Sequence, residues 1–201
     1  MLATGSEAHP GLASERPVPD EAVLVRARAG DAEAFRVIFE SHAPAVRRFL
    51  SDVLRDRARA DEATQETFVR AHARLGSLRE GERLSGWIFG IARLVSLEQL
   101  RDRRRERPAA NDESERIPQA DGAPGPEAAL LGGEATRMLD GALSTLAEDR
   151  RAALLLRLDH GLGYGEIADA MGWPLQKVKN EIHRARLQLR ERLKGYLEGE
   201  A

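Results

Sequence analysis

Residues 164–193 read YGEIADAMGWPLQKVKNEIHRARLQLRERL, and this segment gives the most specific indication of the fold. Apolar side chains recur there at three- and four-residue steps on both sides of Gly172, which predicts two helices separated by a tight turn. Pro174 suits the first turn of the second helix. The apolar residues that would close a core between the two helices are Ile167, Ala168, Met171, Val178 and Ile182. This is the helix-turn-helix pattern.

The second of these helices carries a basic face. Residues 176–194 hold seven Lys and Arg against two Glu, although the whole chain has a formal net charge of -2. A local basic cluster, rather than net charge, forms a footprint for phosphates, and the second helix of such a motif lies in the major groove. The side chains placed to read base edges are Gln176, Lys177, Asn180, Glu181 and Arg184, those placed for phosphates are Lys179, Arg186 and Arg190, and Tyr164 is a further candidate for contact with DNA. The alternative is a solvated basic face on an ordinary helical hairpin.

Outward from this motif, the chain divides into four segments. Residues 1–18 are polar and rich in Gly and Pro, which predicts a flexible tail. Residues 19–106 read as a helical bundle, 107–133 as an acidic linker rich in Pro and Gly, and 134–201 as a second helical domain. With only 4% aromatic residues in 201, the sequence predicts an all-α fold of two small helical domains joined by a flexible linker.

Within the first domain, helix boundaries follow from capping and breaking residues. Asp20 is a candidate N-cap for the first helix and Gly30 its end, and a second helix begins at Asp31. Pro44 is expected to open a third helix. The face of the second helix expected to be core holds Ala34, Phe35, Ile38 and Phe39. Further helical patterns cover 60–75 and 84–100.

Two charged stretches of this domain are candidate binding surfaces. An acidic arc, formed by Asp61, Glu62, Gln65 and Glu66 with Phe68 beside it, suits a basic protein surface better than DNA. An arginine run that includes Arg101 and Arg104 follows Trp87, Phe89 and Arg93, and such a combination can stack on unpaired bases. The alternatives are solvated charged faces. We expect Trp87 to be core, and Phe89 could be either core or exposed.

Several classes of protein are excluded or disfavoured. Because there is no cysteine, the chain has no disulfide, thiolate metal site or cysteine nucleophile. The five histidines lack metal-ligand spacing, and there is no glycine-rich phosphate loop, so we expect no catalytic residue, metal or cofactor. No apolar stretch is long enough for direct membrane insertion and no secretory signal opens the chain, which predicts a cytoplasmic protein.

Four blocks, in order, carry a family resemblance. They are DEAVLVRARAGDAEAFRVIFE, ADEATQETFVRAH, WIFGIARLVSLEQLRDRRR and ALSTLAEDRRAALLLRLDHGLGYGEIADAMGWPLQKVKNEIHRARLQLRERL. Together they resemble the extracytoplasmic-function (group four) sigma factors of bacterial RNA polymerase, over nearly the whole chain apart from the tail and linker.

The resemblance implies a role for each block. The helix around residues 61–68 would bind the clamp helices of the polymerase β′ subunit, and the second domain would meet the β flap. The helix 84–105 would recognise the −10 promoter element, and the helix-turn-helix would read the −35 element. An anti-sigma factor would cover these surfaces. The alternative from the residues alone is a dimeric helix-turn-helix regulator with a helical sensor or dimerisation domain.

Three positions depart from the family pattern. Leu94 stands where the family usually has Asn, Glu98 where it often has Asp, and Asn180–Glu181 where it often has Ser-Arg. A glutamate on the reading helix can accept a hydrogen bond from cytosine. We therefore expect an atypical −35 preference, and expect Glu181→Arg to strengthen general DNA binding.

Overall fold

The computed structural model describes residues 20–78, 84–106 and 126–197. Within those ranges the chain is all α-helical, with no strand, which confirms the predicted fold class. The helices are α1 (Glu21–Arg28), α2 (Ala32–Leu54), α3 (Arg57–Arg74), α4 (Leu84–Glu106), α5 (Pro126–Ser144), α6 (Glu148–Leu158), α7 (Tyr164–Met171) and α8 (Leu175–Leu197), with a 3-10 turn at Leu75–Ser77. The predicted tail, and the predicted linker over 107–125, lie outside the described residues.

The starts of α2 and α3 follow from aspartate caps. The Asp31 carboxylate accepts hydrogen bonds from the backbone N–H groups of Glu33 and Ala34, at 2.9 and 3.1 Å. Asp56 accepts one from the N–H of Arg59 at 3.1 Å. Such caps satisfy donors that have no partner within the helix. The predicted helix start at Asp31 is confirmed.

The prediction that Pro44 opens a helix is wrong, because α2 runs through it without a break. Pro44 is exposed, so its ring points away from the core, and only one backbone hydrogen bond is lost. Apolar side chains on the opposite face, from Ile38 to Val53, are buried on both sides of the proline. Burial of that face outweighs a local cost of about 3 kcal/mol.

Helix α5 also departs from the prediction. It begins at Pro126, within the stretch that composition assigns to the linker, and runs to Ser144. Proline is favoured at the first helical position because its missing N–H would have no intrahelical partner there. Residues 126–133, which their composition assigns to the linker, are therefore the first two turns or so of a helix that starts at a proline.

The helix-turn-helix is built as the sequence predicts. Gly172 lies in the left-handed region, with φ +63, and lets the chain turn between α7 and α8. Ile167, Val178 and Ile182 are buried between these helices, with Met171 beside them. At the other end of α7, the Glu166 carboxylate accepts a hydrogen bond from the N–H of Gly163 at 2.8 Å. Helix α8 is thus held at a fixed angle to α7 by the small apolar core between the two helices.

The α1–α4 unit and the α5–α8 unit pack against each other along α4 and α7. Gly86 and Gly90 allow this approach: a Cβ on Gly86 would lie 2.7 Å from the Glu166 carbonyl oxygen, and one on Gly90 would lie 3.3 Å from the Ala170 Cα. Beside them, Phe89 and Phe49 meet edge to face at 5.5 Å between ring centroids. The His160 ring of the second unit meets Phe49 edge to face at 5.9 Å and lies tilted against Phe89 at 5.1 Å. One apolar core therefore spans both units.

Polar contacts reinforce the same interface. The buried Arg151 guanidinium donates to the carbonyl oxygen of Val53 at 2.9 Å. Arg93 donates to the Asp149 carboxylate at 2.7 Å. A charge-assisted bond of this kind fixes orientation more firmly than a neutral one. The two units therefore form a closed arrangement in which the face of α4 that carries Gly86 and Gly90 is covered by α7.

Candidate functional site

Helix α8 presents most of the side chains that the sequence assigned to DNA reading. The assigned residues that are exposed on it are Gln176, Lys177, Lys179, Asn180, Arg184, Arg186 and Arg190. Gln176 donates to the Asn180 side-chain oxygen at 3.0 Å, so the two amides form one polar patch. The Lys177 ammonium lies 4.2 Å from the centre of the Trp173 ring, a cation–π distance. This face can meet both phosphates and base edges.

Tyr164 occupies a different position from these residues. It opens α7, is half-buried, and has the Arg157 guanidinium 4.9 Å from its ring centre. That contact ties α6 to the start of α7. Tyr164 therefore belongs to the rim of the motif rather than to the reading face of α8.

Glu181 does not stand free on the reading face. Its side chain is only 15% exposed, and it lies between two arginines: Arg150 Nε at 2.8 Å and Arg184 Nη1 at 2.9 Å. The hydrogen bond from Arg150, with help from Arg184, holds the pKa of the Glu181 carboxyl below its usual value. Since Arg150 lies 31 residues away on α6, helical spacing alone could not reveal this pairing.

On α3 the acidic arc faces solvent in part. Glu62 and Gln65 are exposed, whereas the Asp61 carboxylate is hydrogen-bonded by Arg47, which lowers the pKa of Asp61. Glu66 accepts from Arg70 at 2.7 Å. Asp61 and Glu66, at the edges of the arc, are thus ion-paired, whereas Glu62 and Gln65 at its centre have no side-chain ion pair or hydrogen bond to another described residue.

The assignment of Phe68 to this surface needs correction. Phe68 is buried, because the apolar face of α3 packs on α2. Its ring is covered by Phe39, which is 41% exposed and meets it edge to face at 4.8 Å. Phe39, expected in the core, is therefore a surface residue beside the arc, together with the exposed Val69. The apolar repeat of α2 could not show this, because it marks a face of the helix and not where on that face the contact with α3 ends.

The two aromatic residues of α4 lie in different environments. Phe89 is fully buried against Phe49 and His160, so it cannot stack on a base in this arrangement. Trp87, expected in the core, is half-buried and lines a groove of about 700 Å³ between α4 and α7. The exposed Leu94, at the family's Asn position, lines the same groove.

The arginines of α4 divide in the same way. Arg93 is turned toward Asp149 of the second unit and is 13% exposed. Arg101 is exposed, and the side chain of Arg104 lies outside the described residues. Freeing Arg93 and the buried face of α4 requires the two units to separate.

A bidentate ion pair joins the acidic arc to α4. Arg70 donates to both carboxylate oxygens of Glu98, at 3.0 and 2.7 Å. Hydrogen bonding by Arg70 lowers the pKa of Glu98. The Glu at this departure position therefore reaches across to α3 and fixes the register of the two helices.

In the part of the chain that the structure describes, no group of three or more His, Cys, Asp or Glu could hold a metal ion. None of the described helices is both long and apolar enough to cross a membrane.

Family models match both units. The model described as Sigma-70 region 2 matches residues 38–106, which covers most of α2 to α4. The model described as Sigma-70, region 4 matches residues 136–189, from α5 into α8. The chain therefore carries both signatures in the order that the four sequence blocks predict.

Characterised relatives span nearly the same length. The chain is 33% identical to RNA polymerase sigma factor CarQ of Myxococcus xanthus over 170 residues, which cover 85% of this chain and 95% of the relative. It is 32% identical to ECF RNA polymerase sigma factor EcfG of Rhodopseudomonas palustris over 150 residues, 73% of this chain and 77% of the relative.

A solved structure resembles the whole arrangement. The sigma factor RpoE of Bartonella quintana, in complex with the anti-sigma factor NepR, matches with a TM-score of 0.66 and 27% identity over 81% of this chain and 98% of that one. CnrH, solved with the cytosolic domain of CnrY, has the same fold, with a TM-score of 0.63 at 23% identity. From the two region models and the full-length relatives, the chain belongs to the extracytoplasmic-function group of sigma-70 family RNA polymerase sigma factors, which direct core polymerase to specific promoters.

Proposed function

We propose that this sigma factor docks on core polymerase through the exposed centre of the α3 arc and its apolar border. The observation that carries this is the exposure of Glu62 and Gln65 beside Phe39 and Val69, on a helix whose other face is buried. An acidic surface bordered by apolar side chains suits a basic protein partner with an apolar centre. This matches the role that the family resemblance gives to 61–68, with the clamp helices of β′ as the partner.

We further propose that α4 and α8 supply the two promoter contacts. The basic face of α8 would enter the major groove at the −35 element, with Lys177, Asn180 and Arg184 toward the bases. The −10 element would be met by α4 through Trp87, Arg93 and Arg101. Because α4 is packed against α7 in the closed arrangement, the two units must separate before α4 reaches DNA.

The other functional expectations follow from this proposal. A subunit that only positions polymerase performs no bond-breaking reaction of its own, and its partners place it in the cytoplasm. The RpoE relative was solved with an anti-sigma factor. We infer that an anti-sigma partner likewise restrains this chain by covering the surfaces named above.

The test is retention of the full chain on immobilised core polymerase. Glu62→Arg reverses a charge at the centre of the arc without breaking an ion pair among the described residues, whereas Asp61→Arg would also release Arg47. We expect Glu62→Arg to bind at least about tenfold more weakly, since like charges placed face to face cost several kcal/mol.

The matched control is Glu21→Arg, the same change in charge at an exposed residue of α1. It should bind as the wild type does. Retention of Glu62→Arg at wild-type strength would remove α3 as the docking surface. Failure of the folded wild type to be retained at all would overturn the proposed function.

A further inference from the structure

A chain of hydrogen bonds links the α5–α6 turn to the exposed face of α8. Gln188 donates to the carbonyl oxygen of Thr145 at 3.1 Å. Arg150 on α6 donates to the Gln188 side-chain oxygen at 3.3 Å and, through Nε, to Glu181 Oε2 at 2.8 Å. Glu181 Oε1 in turn accepts from Arg184 Nη1 at 2.9 Å. The last member, Arg184, is 63% exposed on the reading helix.

Glu181 is poorly placed to read a base itself. Each of its carboxylate oxygens already accepts a hydrogen bond from an arginine, and its side chain is largely covered. To accept from a cytosine amino group, it would have to leave Arg150 with part of its charge unpaired. Such a loss costs more than a single new hydrogen bond returns. Glu181 therefore acts on its neighbour rather than on DNA.

Arg184 is the neighbour on which it acts. A long, exposed arginine normally samples many rotamers, and freezing it on binding costs entropy. Here the carboxylate that accepts from Arg184 is itself fixed from behind by Arg150, a residue of another helix with 26% side-chain exposure. A guanidinium held in this way is pre-organised for bidentate recognition of a guanine edge.

We propose that Arg150 and Glu181 are positioning residues for base recognition, which hold Arg184 in the orientation that reads one base pair of the −35 element. This inference rests on the proposed use of α8 in the major groove. It replaces the sequence-based expectation that Glu181 selects cytosine directly. Its distinctive consequence is that Arg150, on α6 and within the protein rather than on the reading face, determines sequence preference.

The experiment uses the full chain bound to core polymerase and a pool of duplexes randomised over the −35 region. Retained duplexes are sequenced to give the preference at each base pair. Arg184→Met first identifies the step that Arg184 reads. We expect Glu181→Gln and Arg150→Met to lower discrimination at that same step, each by at least about fivefold, the lower end of the effect of a bidentate base contact.

Glu191→Gln is the matched control. It removes one negative charge from the same helix at an exposed position, so both glutamine variants should gain similar affinity for a random duplex. Only Glu181→Gln should broaden the preference. Arg150→Lys retains the charge and one of the contacts, and should lie between wild type and Arg150→Met even if the latter proves unstable.

Different failures are distinguishable. A wild-type preference profile in Arg150→Met or in Glu181→Gln overturns the inference, as does a Glu181→Gln defect confined to a step other than that of Arg184. If Glu181→Gln instead loses discrimination at a separate base pair that contains cytosine, Glu181 reads that cytosine directly. A wild type that core polymerase does not retain overturns the proposed function itself, and a retained wild type without any −35 preference overturns this inference.

Discussion

Replacement of Gly86 by alanine tests whether the close approach of α4 and α7 holds the two units together. The added Cβ would lie 2.7 Å from the Glu166 carbonyl oxygen and 3.1 Å from the Glu166 Cα, both backbone atoms that no side-chain rotation can move. Ordinary van der Waals contact begins at 3.4 Å, so α4 must retreat by about 0.7 Å. Overpacking of this kind costs about 1–3 kcal/mol.

That cost falls on the closed arrangement alone, because separated units have no such contact. The ratio of closed to separated molecules should therefore fall by about 5–150-fold. The chain has no native cysteine, so cysteines introduced at the exposed Glu33 on α2 and Glu191 on α8 can carry a specific fluorophore pair. Energy transfer between them reports the fraction of closed molecules, and Gly86→Ala should reduce it.

Gly165→Ala is the control, since it makes the same substitution in α7 where a Cβ meets nothing within 4 Å. Both variants gain a similar helix propensity of about 1 kcal/mol, so that gain cancels in the comparison. If Gly86→Ala keeps the wild-type energy transfer while circular dichroism shows intact helices, the close approach does not limit separation and the reasoning fails.

Two further predictions concern ionisable groups. Burial, and then the nearby Asp159 carboxylate, raise the pKa of Asp52 to about 6; the folded chain therefore keeps a proton that the unfolded chain loses near pH 4, and the free energy of unfolding should fall as the pH rises from about 4 to about 6. Asp52→Asn should lack this fall in urea titrations across that window, and equal pH dependence of the two proteins would contradict the assignment. For the bidentate pair of Arg70 and Glu98 on partly exposed side chains, a double-mutant cycle of Arg70→Met and Glu98→Gln should give a coupling energy of about 0.5–1 kcal/mol at pH 7. A coupling indistinguishable from zero would show that the pair does not fix α3 against α4.

Features of this fold were predictable from the sequence where they depend only on residues within one helix or turn. The caps at Asp31 and the turn at Gly172 depend on chemistry within a few residues, and the structure has both. The prediction at Pro44 was wrong because the local free-energy cost of the proline is outweighed by burial of apolar side chains along the whole face of α2.

The binding surfaces were less predictable, because they depend on which element covers which face. Phe89, which the sequence left open between core and surface, is buried because the second unit covers it, whereas Phe39, expected in the core, is 41% exposed because the described residues cover it only in part. The ion pair of Glu181 could not be predicted from the sequence, because its partner Arg150 lies on another helix. Periodicity defines a face, but only the tertiary arrangement defines its neighbours.

The α4–α7 contact also has a consequence for the competition between sigma factors for core polymerase. If the polymerase-bound factor must keep α4 away from α7, as contact of α4 with DNA requires, the free energy of separation is subtracted from the affinity for polymerase, and that affinity is reduced in proportion to the fraction of separated molecules. Each additional 1.4 kcal/mol or so of packing at Gly86 and Gly90 would then require about ten times more free polymerase. Where several factors share one limited pool of the enzyme, two glycines facing a backbone would then help to set this factor's rank in the competition.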